Sequence, residues 1–329
     1  MLRVGKGYDS AGRATSVRVD SGGRQIATAF AVLSGLIWSS YYVFALWLAP
    51  LTSAVAVVVY PFLVGGAAFL LWAVVRGEAG VFLRLWKEPA SYVRILLAVV
   101  MQASTLAATY SAGPVDTSLL ALLGDVVMVP LMLMVIFGED RPLLRSPWFL
   151  VGIFGCLLGD GITIVAGHTL SPVSGFVWLV VPAIPISTGL FFLLLAHAAR
   201  RTSMVALIAQ AFLGAGVVCA VLSPILPGGN AGLYTMPPPA VLLLIVMGIT
   251  TFFVAPYLYF AAIERGGLVP TAIWMALIPA FTLLMSVVVL GLAPEILGAL
   301  GVPIAIVGAF LALEGQRRVG TDDSANPTG

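Results

Sequence analysis

Two apolar stretches decide the fold: Val115 to Phe137 (VDTSLLALLGDVVMVPLMLMVIF) and Pro147 to Ala166 (PWFLVGIFGCLLGDGITIVA), joined by a short charged link. Crossing the ~30 Å hydrocarbon layer of a bilayer takes roughly 20 mostly apolar residues in a helix, and each stretch is that long. Each also carries a carboxylate in its interior, Asp125 and Asp160, with no Lys, Arg or His in the same stretch to neutralise it. An ionised side chain at bilayer depth costs at least ~2.5–3.5 kcal/mol, so such residues are rare there and point to function. At 1.5 Å per residue, Asp125 lies ~13 Å and Asp160 ~10 Å from the same surface. If they face one another they titrate as a coupled pair.

Working outward, the whole chain has this character. It is 60% apolar and only 9% charged, with a mean hydropathy of +1.09. A soluble domain carries about 25% charged residues, so this is a membrane protein. Ten stretches qualify as spans: 27–47, 53–75, 93–111, 115–137, 147–166, 173–197, 203–223, 239–263, 268–290 and 296–314. The segment Gly77 to Tyr92, with Phe82, Leu85 and Trp86 among Arg84 and Lys87, reads as an interfacial amphipathic helix. Residues 1–26 and 315–329 are polar tails.

The positive charges give the orientation. All 16 Lys and Arg precede helix 1, lie between helices 2 and 3, or follow helices 4, 6, 8 and 10. Those positions share one side of a ten-span protein, so both termini are expected in the cytoplasm of a cell-membrane, multi-pass protein. The basic residues therefore report topology and not a nucleic-acid partner. Ten spans divide into 27–167 and 174–314, and because five is odd the second set enters the membrane inverted. The expected fold is an all-α membrane protein of ten transmembrane helices as two inverted five-helix repeats. Gly152 and Gly159 in helix 5, and Gly301 and Gly308 in helix 10, share a seven-residue spacing that would suit such a repeat.

Several short motifs agree with this plan. Leu36-Ile37-Trp38-Ser39-Ser40 puts a tryptophan before small residues in helix 1, Phe137-Gly138-Glu139 closes helix 4, and Pro279 precedes Leu290-Gly291 in helix 9. In these features the chain resembles the EamA-type ten-helix transporters of the drug/metabolite transporter superfamily, over nearly its whole length. It departs from their pattern where Asp125 stands in place of a common helix-4 proline and where helix 2 lacks an arginine. The resemblance implies a central cavity lined by helices 3, 4, 8 and 9, which would collect Gln102, Asp125, Tyr257 or Tyr259, and Trp274.

Other candidates come from polar and aromatic faces at helical spacing, including Trp38 and Tyr42 in helix 1. The candidate solute- or ion-binding set is thus Asp125, Asp160, Gln102, Trp38, Tyr42, Tyr257, Tyr259 and Trp274. No cofactor or metal is expected: His168 and His197 lie at opposite ends of the bundle, Cys156 and Cys219 sit singly in apolar helices, and no phosphate loop or nucleophile elbow is present. The absence of intramembrane positive charge argues against multiply anionic cargo. The reading favoured is a proton-coupled exporter of a small neutral, zwitterionic or cationic solute, with a facilitative uniporter or exchanger as the alternative. A third class, intramembrane aspartyl proteases, also carries two aspartates on adjacent spans. Gly124-Asp125 and Leu157-Leu158-Gly159-Asp160 match neither of its motifs.

Overall fold

The computed structural model describes residues 7–8, 14–15, 21–124, 128, 132, 145–167, 175–199, 201–225, 233, 235–266, 271, 274–292 and 296–325. In chain order its helices are α1 (Ser21–Leu48), α2 (Ala54–Val75), α3 (Ala79–Leu85), α4 (Pro89–Ser111), α5 (Pro114–Leu123), α6 (Pro147–Gly167), α7 (Gly175–Ala199) and α8 (Met204–Leu222). There follow α9 (Pro238–Ile249), α10 (Ala255–Gly266), α11 (Ile278–Leu290) and α12 (Ile296–Ala325). The one strand pairing among the described residues sets Gly7–Tyr8 antiparallel to Ala14–Thr15. Asp125 lies outside the described residues.

Hydrocarbon offers no partner for backbone N–H and C=O groups, so a chain this apolar folds into helices that satisfy them internally. Among the described residues, six helices are long and apolar enough to cross a membrane. Four shorter apolar helices, Pro114–Leu123, Pro147–Thr163, Ile278–Leu290 and Ala299–Gly315, fall on the remaining expected spans. The outer surface carries large apolar side chains such as Val75 (71% exposed), Phe154 (67%) and Val288 (73%), which suit lipid and not water.

Helix ends differ from expectation: the amphipathic helix expected from Gly77 to Tyr92 is confined to Ala79–Leu85, and the third span already begins at Pro89, a proline suited to a helix's first turn. The first helix starts at Ser21, ahead of residue 27, and the last continues through Ala325, beyond 314. The extension of α12 is stitched by Arg318, whose Nε donates to Glu314 Oε1 at 2.8 Å one turn back. The same guanidinium lies over the Trp148 ring, 4.6 Å from its centroid.

The two halves of the chain interleave. Contacts between the halves join α6 to α12, α2 to α8, α1 to α10, α4 to α7 and α5 to α11, and beside them α1 to α11, α2 to α9 and α4 to α8. In the ten-span numbering the first five are helices 5 with 10, 2 with 7, 1 with 8, 3 with 6 and 4 with 9. Helices α2 and α8 open on the same pattern, Thr52-Ser53-Ala54-Val55-Ala56 and Thr202-Ser203-Met204-Val205-Ala206. In each the serine is the N-cap, its Oγ accepting from the third residue on, Ala56 N and Ala206 N, at 3.3 Å.

The α6–α12 contact is the closest. The helices run antiparallel with Gly152 facing Ala312, Gly155 facing Gly308, and Gly159 facing Gly301 and Ala305. A Cβ at Gly155 would sit 2.9 Å from Gly308 Cα, and one at Gly159 would sit 2.6 Å from the Gly301 carbonyl oxygen. Small residues at this spacing let two backbones touch, the usual device where lipid removes the hydrophobic drive for helix association. The seven-residue glycine spacing thus serves this interface directly.

Candidate functional site

A cavity of about 120 Å³, open to the centre of a water-sized sphere, lies among the helices. Its walls come from both halves: Trp38, Tyr41 and Tyr42 of α1, Gln102 and Thr105 of α4, and Ala121 of α5 face Thr188 and Phe191 of α7, Phe212 of α8, Pro256 of α10 and Ile278 of α11. No charged side chain lines it among the described residues. Aromatic rings dominate, with Tyr41 edge-on to Tyr42 (5.5 Å between centroids) and to Phe252 (6.0 Å).

Its polar groups are few. The Gln102 side-chain amide donates to the Tyr41 hydroxyl, tying α4 to α1. Thr105 Oγ1 donates to its own helix at Met101 O, 2.7 Å away, and so offers the cavity little. Thr251 lines the cavity with its hydroxyl buried and without a hydrogen-bond partner among the described residues.

The backbone around Thr251 explains Trp38. Residues Thr250–Val254 form a π-helical turn between α9 and α10, closed by the Ala255 N–H donating to Thr250 O. One residue on, the same pattern would pair Thr251 O with residue 256, which is a proline and has no N–H. The Trp38 indole N–H donates to Thr251 O instead, at 3.2 Å. Ser34, one turn earlier on α1, donates to Ala255 O at 2.8 Å. The Thr251 carbonyl that Pro256 leaves open is therefore satisfied across the halves, and with the added Ser34 bond α1 is bolted to the π-turn at the cavity wall.

Of the residues singled out by sequence, Trp38, Tyr42 and Gln102 come together at the cavity. Tyr259 is buried behind Trp38, with ring centroids 5.3 Å apart, and does not line it. Tyr257, on the opposite face of α10, is 38% exposed and packs against Trp72 and Phe253. Trp274 does not line the cavity; it packs against the neighbouring apolar cluster of Ala31, Tyr259, Ala262 and Met275, which Trp38 also touches. A helix turning 100° per residue cannot point Tyr257 and Tyr259 the same way, and only the packing says which faces inward.

Asp160 stands apart from the cavity. It is 3% exposed on α6, and neither carboxylate oxygen has a hydrogen-bond partner among the described residues. Its like-charged neighbour is Asp116, 5% exposed in the first turn of α5. Sequence reasoning passed over Asp116 because an acidic residue at a helix start ordinarily complements the helix dipole from the surface. Gln210, on α8 between cavity-lining Ile208 and Phe212, is fully buried with neither amide atom partnered among the described residues.

In comparison with known proteins, residues 173–313 match the model of the EamA-like transporter family. No curated protein sequence matches the chain. Fourteen chains of solved structure do. One crystal structure superposes with a TM-score of 0.62 at 19% identity, covering 89% of this chain and 98% of that chain. At that identity the likeness concerns the fold.

Proposed function

From the match of residues 173–313 to the EamA-like transporter family, we propose that this protein is a multi-pass membrane transporter, a secondary active exporter working by alternating access between two inverted five-helix halves. The observation that carries the reading is the cavity itself, walled by helices of both halves, so that rocking one half against the other would open it to either side. The helix pairing supports the repeat. Exchanging each helix for its counterpart five places away leaves the pairs 2 with 7, 4 with 9 and 5 with 10 unchanged and converts 1 with 8 into 3 with 6. A pseudo-twofold relation between the halves would produce that set.

The cargo is a small neutral, zwitterionic or cationic solute. Aromatic faces attract cations and apolar groups alike, while the Tyr42 and Thr251 hydroxyls and the Gln102 amide supply hydrogen bonds at the wall. A multiply anionic solute would find no cationic group among the described residues that line it to replace its hydration.

Protons are the coupling ion. An ionised Asp160 would have no donor to replace its water, so its proton exchanges only when movement of α5 or α12 admits solvent. Asp116 is its neighbour in that exchange, and Asp125, four residues after cavity-lining Ala121 in sequence, links proton and solute. The basic links face the cytoplasm of the cell membrane.

The test is purified protein in liposomes, with solid-supported-membrane currents recorded across a panel of metabolites and amines, with and without a pH gradient. A solute-evoked current that depends on the gradient, and loses that dependence in Asp160→Asn, is expected. Transport that ignores the gradient in wild type would instead establish the facilitative mechanism, and no flux for any solute would remove the transport reading.

A further inference from the structure

A second cavity, of about 500 Å³, lies at the basic end of the bundle, between α3, the start of α4, the end of α7 and the α7–α8 link. Arg84, Arg94 and Arg201 line it, with His197 and Thr202, against the single carboxylate of Glu88. Its volume falls within the ~300–1,000 Å³ of small-molecule sites. Ala90, in the first turn of α4, also lines it, so the positive end of a 23-residue helix adds to the field.

Arg94 is what separates this cavity from an ordinary basic rim. Its side chain is only 2% exposed. Nη2 donates to Ser91 Oγ at 2.6 Å and approaches Glu88 Oε2 at 3.8 Å, but Nε is buried without a hydrogen-bond partner among the described residues. A buried guanidinium needs acceptors for its five donors, and leaving them unmade is costly. Charge asymmetry across the membrane explains exposed arginines at this end, not a buried one with a donor unfilled. Glu88, 54% exposed and 3.8 Å away, stays hydrated and leaves the Arg94 Nε without an acceptor.

We infer that this cavity is a binding site for a phosphate-bearing anion, with Arg94 at its floor and Arg84 and Arg201 at its mouth. Arginine's planar fork matches phosphate oxygens, which accept several donors at once. The phosphate belongs either to the headgroup of an anionic phospholipid, since basic pockets between membrane helices take such headgroups, or to a soluble phosphate compound. This site is distinct from the solute cavity, and its test reads binding, not flux.

Full-length protein in mild detergent is titrated with short-chain phosphatidylglycerol, and with phosphatidylcholine of the same acyl length, by native mass spectrometry. Inorganic phosphate is titrated in parallel by calorimetry. The expected result is one saturable phosphatidylglycerol site, weakened about tenfold or more in Arg84→Gln/Arg201→Gln, as loss of charge-assisted bonds implies. Those two substitutions sit at the cavity mouth, and a wild-type elution profile checks that the variant folds; Arg94→Gln is the second variant. Arginine-dependent binding of inorganic phosphate, without arginine-dependent lipid binding, assigns the site to a soluble phosphate. Binding of neither, or binding of both unchanged by the substitutions, overturns the proposal.

Discussion

Replacing Gly152 by alanine tests the closest contact between the two halves. A Cβ there would lie 2.2 Å from Ala312 N, 2.6 Å from Ala312 Cα and 2.7 Å from Ala312 Cβ. Carbon atoms rest at roughly 3.5–4.0 Å, so α6 and α12 would have to part by about 1 Å. Overpacking of this kind costs about 1–3 kcal/mol. Alanine also raises helix propensity by up to about 1 kcal/mol over glycine, which would blur the result. Gly161 on the same helix removes that ambiguity, because a Cβ there meets nothing within 4 Å. The propensity gain is common to Gly152→Ala and Gly161→Ala, and their difference isolates the clash. At ~2–4 °C per kcal/mol, Gly152→Ala should melt about 2–12 °C below Gly161→Ala in fluorescence-detected size-exclusion thermal assays. Adding Ala312→Gly should restore only a small part of the loss, since it removes the Cβ contact and leaves the closer ones to Ala312 N and Cα. Equal melting of the two single variants would refute the close approach of these helices.

Further outcomes follow from single hydrogen bonds, each paired with a control substitution. Trp38→Phe keeps a ring at the cavity but deletes the donor to Thr251 O, and should cost ~1–3 kcal/mol in unfolding together with weaker solute-evoked current. Tyr257→Phe, on the exposed face of the same helix system, should stay within about 0.5 kcal/mol of wild type in the same assays. Ser203→Ala removes both the α8 cap and the bond Ser203 donates to Glu78, and should lower stability by ~1 kcal/mol or more. Ser53→Ala, which loses only a cap contact, should cost less in a parallel melt.

The Thr-Ser-x-Val-Ala pattern at the starts of α2 and α8 shows how a legible signal goes unread. It stands in the sequence, yet five residues recurring in an apolar chain gain weight only when both serines are seen capping equivalent helices. The spacing of Gly152 and Gly159, and of Gly301 and Gly308, illustrates the converse. It is visible in the sequence, but its use as a backbone-to-backbone contact emerges only when α6 lies against α12.

What the sequence by itself determined is the membrane character, the helical class and the approximate position of the spans. Hydrocarbon imposes those locally, segment by segment, through length, apolarity and the need to satisfy every backbone group within the helix. Trp38, Tyr42 and Gln102 were legible for a related reason: polar and amphipathic groups are scarce in such a chain, and each must be accommodated somewhere. What only the tertiary structure decided is which face of each helix turns inward. A helix apolar all round carries no stripe to mark its buried side. So the assignment of Tyr259 behind Trp38, the turning of Tyr257 outward, and the indole that fills the carbonyl left open by Pro256 all depended on how the helices of one half pack against those of the other.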